Sequence, residues 1–189
     1  MRLAITCTVL ALSIACFTSF SWAVITLFSR PAGINWKMTF LSAMGILSSI
    51  VQVVIVATVR PGASRTVSAL ILYVGALVLF WWTVPHAAEA QLNIAFTKVE
   101  PVNLLVTGPY AYVRHPFYAS YLLYWIAGAL VSSWLWTSVF VMGSCYFVAM
   151  DQEEKGFQLS PLAVSYATYK HKTGALFPIL QFSKRKTSD

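Results

Sequence analysis

The chain has 189 residues, 58% of them hydrophobic and 10% charged, with a formal net charge of +7. A water-soluble domain carries roughly a quarter charged residues, so an ordinary soluble fold is excluded. The deficit is concentrated, because residues 3–28, 38–59, 67–84 and 117–150 contain no Asp, Glu, Lys or Arg.

A helix needs roughly 20 apolar residues to cross a hydrocarbon core of about 30 Å. Backbone groups in lipid must bond internally, which implies helices, and the alternating pattern of a membrane β-barrel is absent. The first run follows Arg2 and contains Ser21-Trp22-Ala23, a possible signal-peptidase site. Its apolar stretch is longer than a signal-peptide core, so it reads as a first span. Arg30-Pro31-Ala32-Gly33 is a turn signal. The second run is a second span, with Gln52 its lone amide. Such an amide reads as an interhelical hydrogen bond. Arg60-Pro61-Gly62 is the next turn, and the third run is nearly long enough for a third span. Residues 1–84 are therefore three transmembrane helices.

Residues 85–189 differ. A polar loop is expected from Pro85 to Arg114. The fourth run is too long for one helix and reads as two short ones broken at Ser132-Ser133. The first of these, at 1.5 Å per residue, would be about 22 Å long. Short helices would leave room for a cavity that the loop and a polar tail from Asp151 could cap. Trp22, Trp36, Trp81, Trp82, Trp134 and Trp136 lie near span ends, as in an interfacial belt. The expected fold is an all-α integral membrane protein with about five transmembrane helices.

Placing the C-terminus in the cytosol puts 10 of the 13 Lys and Arg residues inside and leaves Arg2, Arg60 and Arg65 outside. That is the bias of the positive-inside rule. All six acidic residues fall on the same inner side. The basic end Lys184-Arg185-Lys186 suits anionic headgroups rather than nucleic acid. Cys7, Cys16 and Cys145 lie in apolar runs at spacings that suit neither zinc nor a disulfide framework.

Two polar constellations remain. One is Leu105-Val106-Thr107-Gly108-Pro109-Tyr110-Ala111-Tyr112-Val113-Arg114-His115-Pro116-Phe117-Tyr118. Pro116 suits the first turn of a helix, which puts Arg114 and His115 at a helix N-terminus, where anions are favoured. An anchoring Arg among belt tyrosines is the plain alternative. The other constellation is Asp151-Gln152-Glu153-Glu154, directly after the last apolar run. Carboxylates at a helix C-terminus oppose the dipole. They read either as a solvated helix end or as partners for a ligand with hydroxyls or positive charge. Together the two offer cations, aromatic rings and carboxylates at one membrane face. S-adenosylmethionine matches that set, since its sulfonium suits aromatic faces and its ribose diol suits a carboxylate.

Leu-Val-Thr-Gly-Pro-Tyr with Arg-His-Pro-Phe-Tyr, then Glu-Glu, then Tyr166-Ala-Thr-Tyr169-Lys170, resembles the isoprenylcysteine carboxyl methyltransferase family over residues 93–178. The resemblance implies a cytosolic S-adenosyl-L-methionine site built from the loop, the last two spans and the tail. By motif, Asn103, Leu104, Leu105, Val106, Tyr110, His115, Pro116, Phe117, Tyr118 and Glu153 match cofactor-binding positions. Arg114 and Glu154 are the catalytic candidates, Arg114 as carboxylate partner and Glu154, or His115, as base. The sequence departs from the family at Ser120, where Gly is usual, and at Ser160-Pro161, where Phe-Gly is usual. Ala149 replaces the substrate-binding Arg. The expectation is methyl transfer to a lipophilic small molecule or a prenylated cysteine, most directly as carboxyl O-methylation. O-methylation of a phenolic or pyrone lipid hydroxyl is the alternative. An NADPH-dependent membrane reductase, which shares the Arg-His-Pro string, and a non-catalytic membrane protein are the competing classes.

Overall fold

The computed structural model describes residues 2–27, 36–89, 101 and 103–179. The turn expected at residues 30–33, most of the loop before residue 101 and the basic run at 184–186 lie outside the described residues. Among the described residues there are six α-helices in chain order: α1 Arg2–Thr26, α2 Trp36–Thr58, α3 Ala63–Glu89, α4 Pro116–Val131, α5 Trp136–Gln158 and α6 Ala163–Lys172. Short 3-10 turns at Gly108–Ala111 and Ser133–Leu135 precede α4 and α5. Among the described residues there is no strand, only an isolated bridge between Val113 and Gly174.

Among the described residues four helical segments are long and apolar enough to cross a membrane, namely Ile5–Thr26, Trp36–Thr58, Ala63–Glu89 and Ser133–Gln158. The all-helical membrane architecture therefore holds, with four full-length spans and a shorter fifth apolar helix. That helix, α4, has 16 residues and reaches about 24 Å, short of the hydrocarbon thickness. The break at Ser132-Ser133 is where it was expected, since Ser132 is extended at the end of α4. The expectation of two short helices is corrected for the second. Its 23-residue helix runs on through Asp151-Gln152-Glu153-Glu154 to Gln158. The acidic residues thus occupy a helical face one turn before the end, not a fraying terminus. A second correction concerns Pro85. It lies inside α3, which continues to Glu89. A proline in the final turns removes one backbone bond and leaves only a short stretch beyond it to disturb.

The bundle is assembled around α3, which packs along α4 and α1, while α5 packs on α4 and α2 on α1. The core is aromatic and small-residue by turns. Tyr73, Phe80, Tyr124, Leu135 and Met142 are fully buried, and Ala69, Ala76, Ala127 and Gly128 let helices approach. Small residues do this in membranes because van der Waals contact, not water exclusion, holds helices together. Phe40, Leu47, Ile71, Val78, Phe140 and Phe147 are exposed on the outer surface, where lipid is their solvent. All six belt tryptophans are among the exposed large residues, and Trp22 stacks on Trp81.

Gln52 is buried between α2, α3 and α4 and donates to the Tyr73 hydroxyl and the Tyr124 carbonyl, both at 3.2 Å. A methyl group at Gly128 would collide with its carboxamide. The lone amide of the second span is therefore an interhelical tie.

Candidate functional site

The end of the bundle that carries residues 103–118, the last turns of α5 and α6 holds nearly all the described acidic side chains and their partners. Gly108 starts the turn with φ 58°, the left-handed region that favours glycine, and a side chain there would run into the His86 ring of α3. Pro109 and Tyr110 are buried by that turn. Two backbone bonds then join this segment to the tail, Arg114 N–H to the Gly174 carbonyl at 2.8 Å and His115 N–H to the Ala175 carbonyl at 3.0 Å. Tyr169 of α6 adds a third, donating to the Tyr110 carbonyl at 2.7 Å. Burial pushes its phenol up to about 12, so it remains a donor.

Pro116 opens α4 and His115 is its N-cap residue. This places His115 between the neighbouring carboxylates of α5. Its Nδ1 lies 3.4 Å from Glu153 Oε2 and its Nε2 3.3 Å from Glu154 Oε1. Only the imidazolium donates from both nitrogens. Burial opposes that charge, but the hydrogen bonds and charges of Glu153 and Glu154 outweigh it and raise the His115 pKa above 6.5.

The two carboxylates have different work. Glu154 is nearly enclosed, at 13% side-chain exposure, and accepts from Arg114 Nε at 2.8 Å and Lys170 Nζ at 2.6 Å. Arg114 also donates through Nη1 to the Thr173 carbonyl. This network fastens the tail to the start of α4. Glu153 is more open, at 33% exposure, and accepts from the Tyr118 hydroxyl at 2.6 Å. Tyr118 stacks on Tyr146 with ring centres 5.3 Å apart, and Tyr121 packs against both. Tyr146 is itself fixed by the Trp125 indole N–H at 3.0 Å. Tyr110 is close enough for the Glu153 charge to act on its phenol, which burial pushes well up.

Of the residues marked from sequence, Tyr110, Arg114, His115, Tyr118, Glu153 and Glu154 converge here. Phe117 points elsewhere, into a small core with Phe80, Ala23 and Ala87. Pro116 is buried as the helix start, and Ser120 is buried with its hydroxyl on the Phe117 carbonyl. Residues 103–106 form an irregular strip in which Asn103 and Val106 are exposed. Ala149 is buried on α5, one turn before Glu153. Sequence reasoning did not single out Tyr121, Tyr146 or the carbonyl of Thr173. The signal for Tyr146 was its spacing, seven residues before Glu153 on the same helical face. A carbonyl acceptor in the tail has no sequence signal.

A carboxylate accepts about four hydrogen bonds, so Glu153, with two partners and partial exposure, keeps capacity for a hydroxyl or ammonium donor. With Tyr118 and Tyr110 beside it, the donor set fits a small ligand that combines a diol or ammonium with a cationic or aromatic part. No protein-family model, curated protein or solved structure matches this chain.

Proposed function

We propose that this chain is an S-adenosylmethionine-dependent O-methyltransferase acting on a lipidic substrate at the cytosolic membrane face. The observation that carries the reading is the Glu153 carboxylate, partly open and held between Tyr118 and His115. The sequence resemblance to isoprenylcysteine carboxyl methyltransferases supports it. Glu153 would take the ribose diol or the ammonium, and the Tyr110 and Tyr118 rings would face the sulfonium. Residues 103–106 would line the remaining edge. S-adenosylmethionine, when bound, supplies an electrophilic methyl group. The protein's own part is to hold the acceptor in line and exclude water, and positioning of this kind accounts for much of such a rate.

Carboxyl O-methylation of a prenylated cysteine or similar lipid acid is the first acceptor reading. A carboxylate is ionised without a base, and Arg114 is its cationic partner. O-methylation of a phenolic or pyrone lipid hydroxyl is the second. It is favoured by the engagement of Arg114 with Glu154 and the Thr173 carbonyl, which leaves less of the guanidinium for a substrate. A hydroxyl acceptor needs a base; His115 would serve only in its neutral form, above its raised pKa, and Glu154, ionised but tied to Arg114 and Lys170, only weakly.

Purified protein should gain thermal stability from S-adenosylmethionine or its demethylated product and none from NADPH. Stabilisation by NADPH alone would overturn the proposal in favour of a reductase. His115→Ala and Glu153→Ala should each weaken cofactor binding by about tenfold or more, the loss of one charge-assisted contact, with the helical content kept. Labelled cofactor offered with S-farnesylated N-acetylcysteine and with a long-chain alkylresorcinol, in turn, decides the acceptor. Tags at the C-terminus and at Glu89 should report the cytosol and a tag at Gly62 the opposite side.

A further inference from the structure

Two side-chain hydrogen bonds link α4 and α5, which are joined by the short turn at Ser133–Leu135, and they fall in the order of an antiparallel pair. In one, the Tyr118 hydroxyl donates to Glu153 Oε1 at 2.6 Å. In the other, the Trp125 indole N–H donates to the Tyr146 hydroxyl at 3.0 Å. Tyr118 and Trp125 stand seven residues apart on α4, and Tyr146 and Glu153 seven apart on α5. Seven residues bring a helix back to the same face about 10 Å further on. The two bonds are therefore rungs of one ladder. Rings fill the space between them. Tyr118 stacks on Tyr146 with planes 30° apart, and Tyr121 stands edge-on to Tyr118.

The rungs differ in surroundings. The Trp125–Tyr146 rung is sealed, with Trp125 2% and Tyr146 8% exposed, inside the charge-free run 117–150. An indole N–H can only donate, and no water at that depth replaces a lost acceptor. The Tyr146 ring is thereby held to one orientation. The Tyr118–Glu153 rung lies at the open end, where the carboxylate is 33% exposed and its other contact, His115 Nδ1, is longer at 3.4 Å. Packing alone is the plain account of Trp125 and Tyr146, and phenylalanine would serve it as well. A hydroxyl and an indole nitrogen add direction rather than area, and the stack passes that direction to Tyr118.

We propose that Trp125 and Tyr146 are positioning residues for the Glu153 carboxylate. They act through Tyr118 and not on a ligand. The sealed rung fixes the ring on which Tyr118 stacks, and Tyr118 aims the carboxylate toward the donor it binds. That donor is S-adenosylmethionine on the reading above, so the inference rests on that reading for its ligand but not for its ladder.

The full chain in mild detergent is titrated with S-adenosylmethionine by calorimetry. Tyr146→Phe keeps the stack and removes the acceptor of Trp125. It should weaken binding about threefold to tenfold, the loss of one buried hydrogen bond. Tyr118→Phe should weaken it at least as much, and the double variant no more than Tyr118→Phe alone, because the two act in series. Gln52→Leu breaks an equally buried bond that has no link to Glu153 and should leave the affinity unchanged. Unchanged affinity in Tyr146→Phe, additive losses in the double variant, or an equal loss in Gln52→Leu would each overturn the proposal. A second readout needs no ligand. The Trp125 indole N–H resonance, assigned by its disappearance in Trp125→Phe, should move in Glu153→Gln and in Tyr118→Phe. It should stay in place in Asp151→Asn, which removes a nearby charge from the exposed side of α5. A wild-type chain that binds no S-adenosylmethionine would overturn the methyltransferase reading, and the resonance would then decide the ladder by itself. A resonance that moves in neither Glu153→Gln nor Tyr118→Phe would overturn the ladder.

Discussion

The two ends of this chain are held together by different forces. The three N-terminal helices and the middle of α4 meet through rings and small residues, with Gln52 as a polar tie among them. The end formed by residues 108–118, α5 and α6 is held by charge. There Arg114, His115 and Lys170 surround Glu153 and Glu154, and three hydrogen bonds to backbone carbonyls, two from amides and one from the Tyr169 hydroxyl, zip the tail onto residues 110–115. The difference follows the solvent. Inside lipid an unpaired polar group is costly, so packing does the work. At the membrane face water and headgroups tolerate charge, so a chain with few ionisable residues concentrates them where they can be solvated and paired.

The largest expected effect lies in the charged end. Glu154→Ala removes the partner of Arg114 and Lys170 and leaves a nearly enclosed guanidinium uncompensated. Breaking a buried pair this way costs about 3–5 kcal/mol, and partial solvent access should lower this to about 2–3 kcal/mol. Protease sensitivity and hydrogen exchange should rise in residues 159–179, with the N-terminal helices unchanged. Uniform loosening of the whole bundle would break the division into two regions.

Gly128→Ala probes the packed end with one methyl group. The Gln52 carboxamide stands in its place, and overpacking of this kind costs about 1–3 kcal/mol. The loss should appear as a lower melting temperature with any S-adenosylmethionine affinity, as proposed above, kept. A change in affinity without a change in stability would contradict the separation.

The pH dependence should be confined to the charged end. The His115 pKa is raised in the fold, because Glu153 and Glu154 overcome the cost of burial. Its stabilisation is therefore fully present below the unfolded value of 6.5 and fades as pH rises through the higher folded value. Exchange of the Arg114 and His115 amides, which bond to the tail, should accelerate in that window after correction for intrinsic rates. His115→Gln should remove the dependence.

The smallest effect is expected at Gln52. Interhelical hydrogen bonds in membranes contribute about 0.6 kcal/mol on average, so Gln52→Leu should cost less than about 1 kcal/mol by thermal melting. A loss several times larger would make this amide a keystone rather than one tie among many contacts.

Charge-free runs separated by Pro-Gly turns determine a helical membrane protein by themselves, because lipid leaves the backbone no other way to bond. The Ser132-Ser133 break and the Gln52 tie were legible for the same reason, each being a polar interruption in an apolar run. The Gly-Pro-Tyr and Arg-His-Pro strings likewise marked a segment that meets α5 and α6 in the charged cluster, the candidate site. Where α3 and α5 end was not legible. Pro85 and the acidic residues at 151–154 are local signals for stopping a helix, and packing of the last turns and pairing with Arg114, His115 and Lys170 override them. Tertiary structure alone decided that the adjacent carboxylates differ, Glu154 closed in a network and Glu153 open beside Tyr118. Neighbours on one helix point about 100° apart, and only the elements packed around α5 determine what each of them meets.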